Sequence, residues 1–181
     1  MKLKNFTVKI LKTTPVLLII MSAVLLRVLP HPANVAPIGA MALFGGVYLD
    51  KKYAIVLPFL VMVISDFFLG FSQSTPFVYL CFALTGIVGM WLKKRKTVFN
   101  VIGASLFSSV LFFLVTNFGY WLTYSLYPKT FEGQLLAYYY ALPFFRNSVL
   151  GDLLYTGLFF GGYVVISQYL RVKVIGGRLD S

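Results

Sequence analysis

An all-α, polytopic membrane bundle of six transmembrane helices is the fold this sequence predicts, and three observations predict it. The first is composition: 59% of the 181 residues are hydrophobic and 12% are charged, where a soluble domain carries about 25% charge, and the mean hydropathy is +0.85. The second is that the apolar residues fall into six runs long enough, or nearly so, to cross a bilayer. The third is where the cations lie. Thirteen of the sixteen Lys and Arg residues occupy the chain ends or alternate gaps between apolar runs: Lys2, Lys4, Lys9 and Lys12; Lys51 and Lys52; Lys93, Lys94, Arg95 and Lys96; Arg171, Lys173 and Arg178. Basic residues stay on the cytoplasmic side during insertion, so the alternation reads as six crossings with both termini inside. Most remaining polar side chains then gather on the outer side.

The elements follow in order. The first span covers about 14–29, with Pro15 tolerated in a first helical turn. Its Lys-rich approach resembles a signal peptide, but residues 27–32 offer no small-x-small cleavage site, so it reads as a retained helix. Pro30, His31, Pro32 and Asn34 form an outer loop. The second span, about 35–49, is only some 22 Å long against a hydrocarbon core of about 30 Å. It is either partly sunk or flanked by non-helical backbone buried in protein. Its Gly39, Ala42, Gly45 and Gly46 recur at helical spacing and invite close helix approach. The third span is about 53–71 and the fourth about 76–92, joined by an uncharged outer loop. The fifth, about 98–127, ends in Phe118, Tyr120, Trp121, Tyr124 and Tyr127, an aromatic belt. A short surface helix at 134–141 precedes the sixth span, about 143–170, which carries Gly157, Gly161 and Gly162. The whole, 1–181, reads as a single integral membrane domain.

Four charged residues lie within or at the edges of these spans: Arg27, Asp66, Arg146 and Asp152. Each costs about 2.5–3.5 kcal/mol at mid-bilayer when unpaired. All four fall toward the outer ends, as do Asn117 and Asn147. Two readings follow. Either they line an outward-facing polar pocket between the first, third, fifth and sixth helices, or they form two ion pairs that lock the bundle without a ligand. Asp66 is expected to bond to Arg146 or Arg27. The one cysteine, Cys81, is either a small hydrophobe or a soft ligand for a metal-containing solute. His31 is either a passive loop residue or a contact at the pocket mouth. Tyr79, Phe118, Trp121 and Tyr139 are candidates to stack on a flat ring or members of the interfacial belt.

Several function classes are excluded on sequence. One His cannot build a two-His metal site, and one Cys forms no internal disulfide. There is no nucleophile elbow and no phosphate-binding loop, so no enzymatic activity and no cofactor are expected. The net charge of +11 reads as a topology signal that also touches anionic lipid, not as a nucleic-acid surface.

Residues 27–34 (RVLPHPAN), 37–46 (PIGAMALFGG), 65–71 (SDFFLGF), 77–80 (FVYL), 116–119 (TNFG), 127–130 (YPKT) and 143–152 (PFFRNSVLGD) resemble a small bacterial family of membrane transport proteins. In size, helix number and inside termini that family is similar to the S components of energy-coupling-factor (ECF) vitamin transporters. The resemblance implies a protein of the bacterial cytoplasmic membrane that binds a vitamin-like solute from outside. One solitary branch of those S components takes up cobalamin and offers a helix cysteine to cobalt, so Cys81 is the residue the resemblance carries over as a ligand to a corrinoid substrate. The first helix lacks the Ala-x-x-x-Ala docking pattern, which leaves open an energy-coupling module or solitary operation. The substrate-binding set implied is Arg27, His31, Asn34, Asp66, Tyr79, Cys81, Asn117, Trp121, Arg146, Asn147 and Asp152. The alternative is a structural or assembly subunit of the membrane with no small-molecule ligand.

Overall fold

The computed structural model describes residues 34–176 and a set of positions between 14 and 29. Among the described residues the chain is all-helical: α1 (Ile38–Tyr48), α2 (Lys51–Leu69), α3 (Thr75–Leu92), α4 (Val98–Thr123) and α5 (Phe131–Gly176). The described positions of 14–26 are helical as well, with Val16 and Ile19 in the core. Arg27 and His31 lie outside the described residues.

The bundle is organised around α1. Its eleven residues, IGAMALFGGVY, are apolar on every face, and nine of them are buried, as expected of a helix that no solvent touches. The four longer helices pack each on the next along the chain, and all four pack on α1. At 1.5 Å per residue α1 is roughly 16 Å long, too short to span hydrocarbon. Non-helical backbone flanks it, with Pro37 buried and Asn34 in the left-handed region at φ 62°, a conformation that Asn tolerates.

Glycine lets α1 sit so deep. A Cβ added at Gly46 would stand 2.7 Å from the Gly89 Cα, and one added at Gly89 would stand 2.9 Å from the Gly46 Cα. The helices α1 and α3 thus meet backbone to backbone. Gly157, Gly161 and Gly162 have nothing within 4 Å of an added Cβ. Glycines at helical spacing on this span therefore mark no close approach among the described residues. On the other side of α1, Phe44 and Tyr48 interlock with Phe159, Phe160 and Tyr163 of α5, with centroids 4.0–6.2 Å apart.

Among the described residues, four helices are long and apolar enough to cross a membrane: Lys51–Leu69, Thr75–Leu92, Val98–Thr123 and Phe131–Leu170. Their outward faces are apolar too. Phe67, Phe68, Val98 and Phe99 are each 78–84% exposed, and such extended apolar surface belongs in lipid rather than water. The chain is a multi-pass membrane bundle on these grounds.

Two boundaries differ from the sequence expectation. The fifth expected span ends at Thr123, where the chain turns; Trp121 Nε1–H donates to the Pro128 carbonyl at 2.9 Å. The Lys129 ammonium donates to the carbonyls of Trp121 and Tyr124 and lies 5.5 Å over the Trp121 ring. The expected surface helix at 134–141 and the last span are one continuous helix, α5, with Pro143 inside it. A proline deletes one backbone hydrogen bond without dictating a break, and here the packing of α5 along α4 and α1 carries the helix through.

The two ends of the bundle are chemically distinct. At one end Lys93 Nζ donates to the Leu49 carbonyl at 3.1 Å, and the Lys96 ammonium lies 5.0 Å from the Tyr48 ring centre. The 93–97 loop, the 49–50 turn, Lys51 and Lys52 therefore share that end. At the other end the Gln73 amide donates to the Tyr124 hydroxyl at 3.2 Å, which ties loop 70–74 to the loop after α4.

Candidate functional site

Away from the basic end, the bundle encloses a cavity of about 290 Å³ that all five helices line. Gly39 comes from α1, Met62 and Asp66 from α2, Val78, Phe82 and Thr85 from α3, Ser108 and Phe112 from α4, and Ser148 and Asp152 from α5. A second cavity of about 530 Å³ adjoins it between α3, α4 and α5, with Thr116, Asn117, Tyr120 and Tyr140 in its wall. Asn34, Val78, Phe112 and Ser148 line both. Volumes of this order suit a small organic ligand.

Two carboxylates lie at the deeper cavity. Asp66 is buried, 7% exposed, and its Oδ2 accepts from the Tyr79 hydroxyl at 2.9 Å. The Tyr79 ring is held edge-on against Phe59, 5.2 Å between centroids. Asp152 Oδ2 accepts from the Ser109 hydroxyl at 2.6 Å. The Asp152 carboxyl group rests on the backbone of Gly39, where an added Cβ would stand 3.2 Å from Cγ. A neighbouring hydroxyl pair, Ser105 with Thr156 at 3.3 Å, continues the α4–α5 seam away from the cavity. The Ser108 hydroxyl lines the cavity and is buried with no hydrogen-bond partner among the described residues. No described Lys, Arg or His lines either cavity.

Tyr79→Phe keeps the ring and removes the hydroxyl. It should lower stability by about 1–3 kcal/mol, because the hydrogen bond it removes goes to a buried carboxylate. Thermal unfolding of the detergent-solubilised protein measures this. An unchanged midpoint would mean that Tyr79 does not position Asp66.

The candidates named from sequence separate clearly. Asp66, Asp152 and Asn34 line the deeper cavity, and Asn117 lines the adjoining one. Tyr79 reaches the site through Asp66. Asn117 also donates from Nδ2 to the Phe113 carbonyl at 2.7 Å. Arg146 is exposed on α5, and Asn147 is half-buried; neither belongs to the lining of either cavity. The expected Asp66–Arg146 bond is not made, since the arginine faces out while the carboxylate is buried. Trp121 locks the 124–130 turn, and no cavity wall includes it. Cys81 is fully buried beside Phe82, outside both linings, in keeping with a small hydrophobe.

Sequence reasoning missed Gly39 as a carboxylate rest, and it missed Ser108, Ser109, Phe112 and Ser148. A signal was present. Ser105, Ser108, Ser109 and Phe112 follow i, i+3, i+4, i+7 spacing, as do Ser148 and Asp152 at i, i+4, so each set shares one helix face.

Comparison with protein families finds a match over residues 8–174 to the family described as Family of unknown function (DUF6580). Comparisons with curated proteins and with solved structures give no match.

Proposed function

We propose that this chain, which belongs to the DUF6580 family, is a substrate-binding membrane transport protein that takes up a small, vitamin-sized solute. It works in the bacterial cytoplasmic membrane, with six crossings and both termini inside. The basic end then faces the cytoplasm and the cavities face out, because Lys and Arg are retained on the inner side. The solute enters from outside through the wider cavity and comes to rest in the deeper one, in the manner of an S component. One observation carries the reading: a buried carboxylate, Asp66, a half-buried one, Asp152, and the Ser108 hydroxyl, which has no hydrogen-bond partner among the described residues, line one void in a mostly apolar bundle. Ionisable residues at membrane depth are costly and mark ligand or ion pathways. Pure structural locking would favour polar groups packed without empty space between them.

The corrinoid version of this proposal is set aside, since Cys81 borders neither cavity. What remains is a ligand of modest size, held by carboxylate, hydroxyl and aromatic groups.

Mass spectrometry of small molecules released from the purified full-length protein tests the proposal. The wild type is expected to release one compound at near-equimolar yield. Ser148→Leu, at the junction of the two cavities, is expected to retain about tenfold less, equivalent to about 1.4 kcal/mol. A wild-type protein that releases nothing above the detergent blank, from cells grown on rich extract, would favour the assembly subunit.

A further inference from the structure

We infer that the solute is an organic cation whose ammonium head is held by Asp152 and Ser108 in the deeper cavity. The inference rests on the transport reading above and narrows it to a substrate class.

Charge comes first. An ionised carboxylate drawn partly out of water favours a compensating partner, and Asp152 is half-buried. The Asp152 partner in the fold is the Ser109 hydroxyl, which supplies a hydrogen bond but no charge. The described residues lining the cavity include Asp152 and Asp66 and no Lys, Arg or His. Asp152 thus brings a negative charge to the cavity with no described cation in the same lining.

Hydrogen-bonding capacity comes second, from an independent residue. The Ser108 hydroxyl is 4% exposed, lines the same cavity, and has no partner among the described residues. A buried hydroxyl without a partner is costly. Ser108 and Asp152 both line this cavity, so the orphaned oxygen and the carboxylate border one space. An ammonium group, with donors and no acceptor, can satisfy both oxygens together.

The walls decide between an organic and an inorganic cation. Phe82 and Phe112 line the cavity with ring centres 5.7 Å apart, and Met62 and Val78 complete its apolar side. Aromatic faces attract ammonium groups and their alkyl substituents. An inorganic ion instead asks for a shell of several oxygen ligands, whereas much of this 290 Å³ void is bordered by carbon.

The test uses the full-length protein in nanodiscs of zwitterionic phosphatidylcholine, with thermal unfolding followed against added probe. The probes are choline, butylamine and agmatine. Controls are the uncharged analogue of choline, with tert-butyl in place of trimethylammonium, and potassium chloride. At least one ammonium probe is expected to stabilise saturably, and its controls are not. Asp152→Asn should weaken that probe by about 10–100-fold, the worth of a charge-assisted hydrogen bond. Ser108→Leu fills the same space without altering any charge and should abolish binding, which guards against misfolding of the first variant. The inference is overturned if the uncharged analogue stabilises equally, if potassium alone stabilises, if binding survives Asp152→Asn unchanged, or if no ammonium probe stabilises the wild type. A neutral or anionic compound co-purifying with the wild type would overturn the charge class and leave the transport reading standing. Absence of any co-purifying compound together with no response to any probe would end both.

Discussion

Gly89→Val is expected to leave little folded protein. The Gly89 position meets α1 through main-chain atoms: an added Cβ would stand 2.9 Å from the Gly46 Cα and 3.1 Å from the Leu43 carbonyl carbon. A flexible side chain can swing away from such an intrusion, but a helix backbone cannot. The only relief is to push α1 and α3 apart, and α1 is the helix on which all the others pack. Overpacking of a core costs about 1–3 kcal/mol and occasionally more. Here the upper end or beyond is expected, about 3 kcal/mol or more, which is a large part of a domain's stability. Gly46→Val, on the other side of the same contact, should behave alike. Gly161→Ala is the matched control. Nothing approaches an added Cβ there, and alanine improves helix propensity, so its unfolding midpoint should equal or slightly exceed that of the wild type. Yield of monodisperse protein and thermal unfolding in detergent would measure all three. A Gly89→Val protein as stable as the wild type would mean that α1 does not sit in contact with α3.

Gly39→Val should give the opposite balance, with modest loss of stability and a large loss of solute retention. The nearest neighbour of an added Cβ at Gly39 is not backbone but the Asp152 carboxyl group, with Cγ at 3.2 Å and Oδ2 at 3.5 Å. That side chain can rotate, so the helices need not separate, and about 1–2 kcal/mol is the expected destabilisation. Rotation nonetheless takes the carboxylate off the Ser109 hydroxyl and away from the void it borders with Ser108. A displacement near 1 Å in a preorganised site is enough to cost much of its function. Retention of the co-purifying compound should therefore fall about tenfold or more, while size-exclusion behaviour stays that of the wild type. If retention were unaffected in a folded Gly39→Val protein, Asp152 would not be the anchoring group.

Both predictions turn on glycines, and the two cases mark what could be read from the chain. The cluster at Gly39, Gly45 and Gly46 signals close approach because small residues at helical spacing leave a flat groove. The same spacing at Gly157 and Gly161 carries the same signal, yet α5 turns that face outward. Spacing says which residues share a face but not which face meets a neighbour. Arg146 illustrates the same limit: its place in an apolar stretch six residues before Asp152 suggested a buried ion, and the rotation of α5 exposes it. Pro143 is a local signal overridden by its surroundings. The last span is expected to start at it, after a separate surface helix, and lateral packing keeps α5 continuous through it.

Asp66 and Asp152, which line the deeper cavity, were legible as candidates for a thermodynamic reason. A carboxylate in an apolar run is too costly to be incidental, whatever the tertiary arrangement. The serines beside them were not, since a hydroxyl can return its proton to the carbonyl one turn back at little cost. Ser65 does so, to the Val61 carbonyl at 2.7 Å, and in sequence Ser108 looks no different. Only the assembled bundle leaves the Ser108 oxygen without a partner and beside a void.

From its order of residues alone, then, the chain specified a helical membrane bundle, a core helix apolar all round, and two acidic side chains that lipid could not accept unaided. These follow from transfer free energies and helical periodicity, which act on each segment separately. The rotation of each helix about its axis, the survival of α5 past its proline and the meeting of Asp152 with Gly39, Ser109 and an empty space were decided by tertiary structure. Those depend on how surfaces from distant segments fit, and no single segment carries that information.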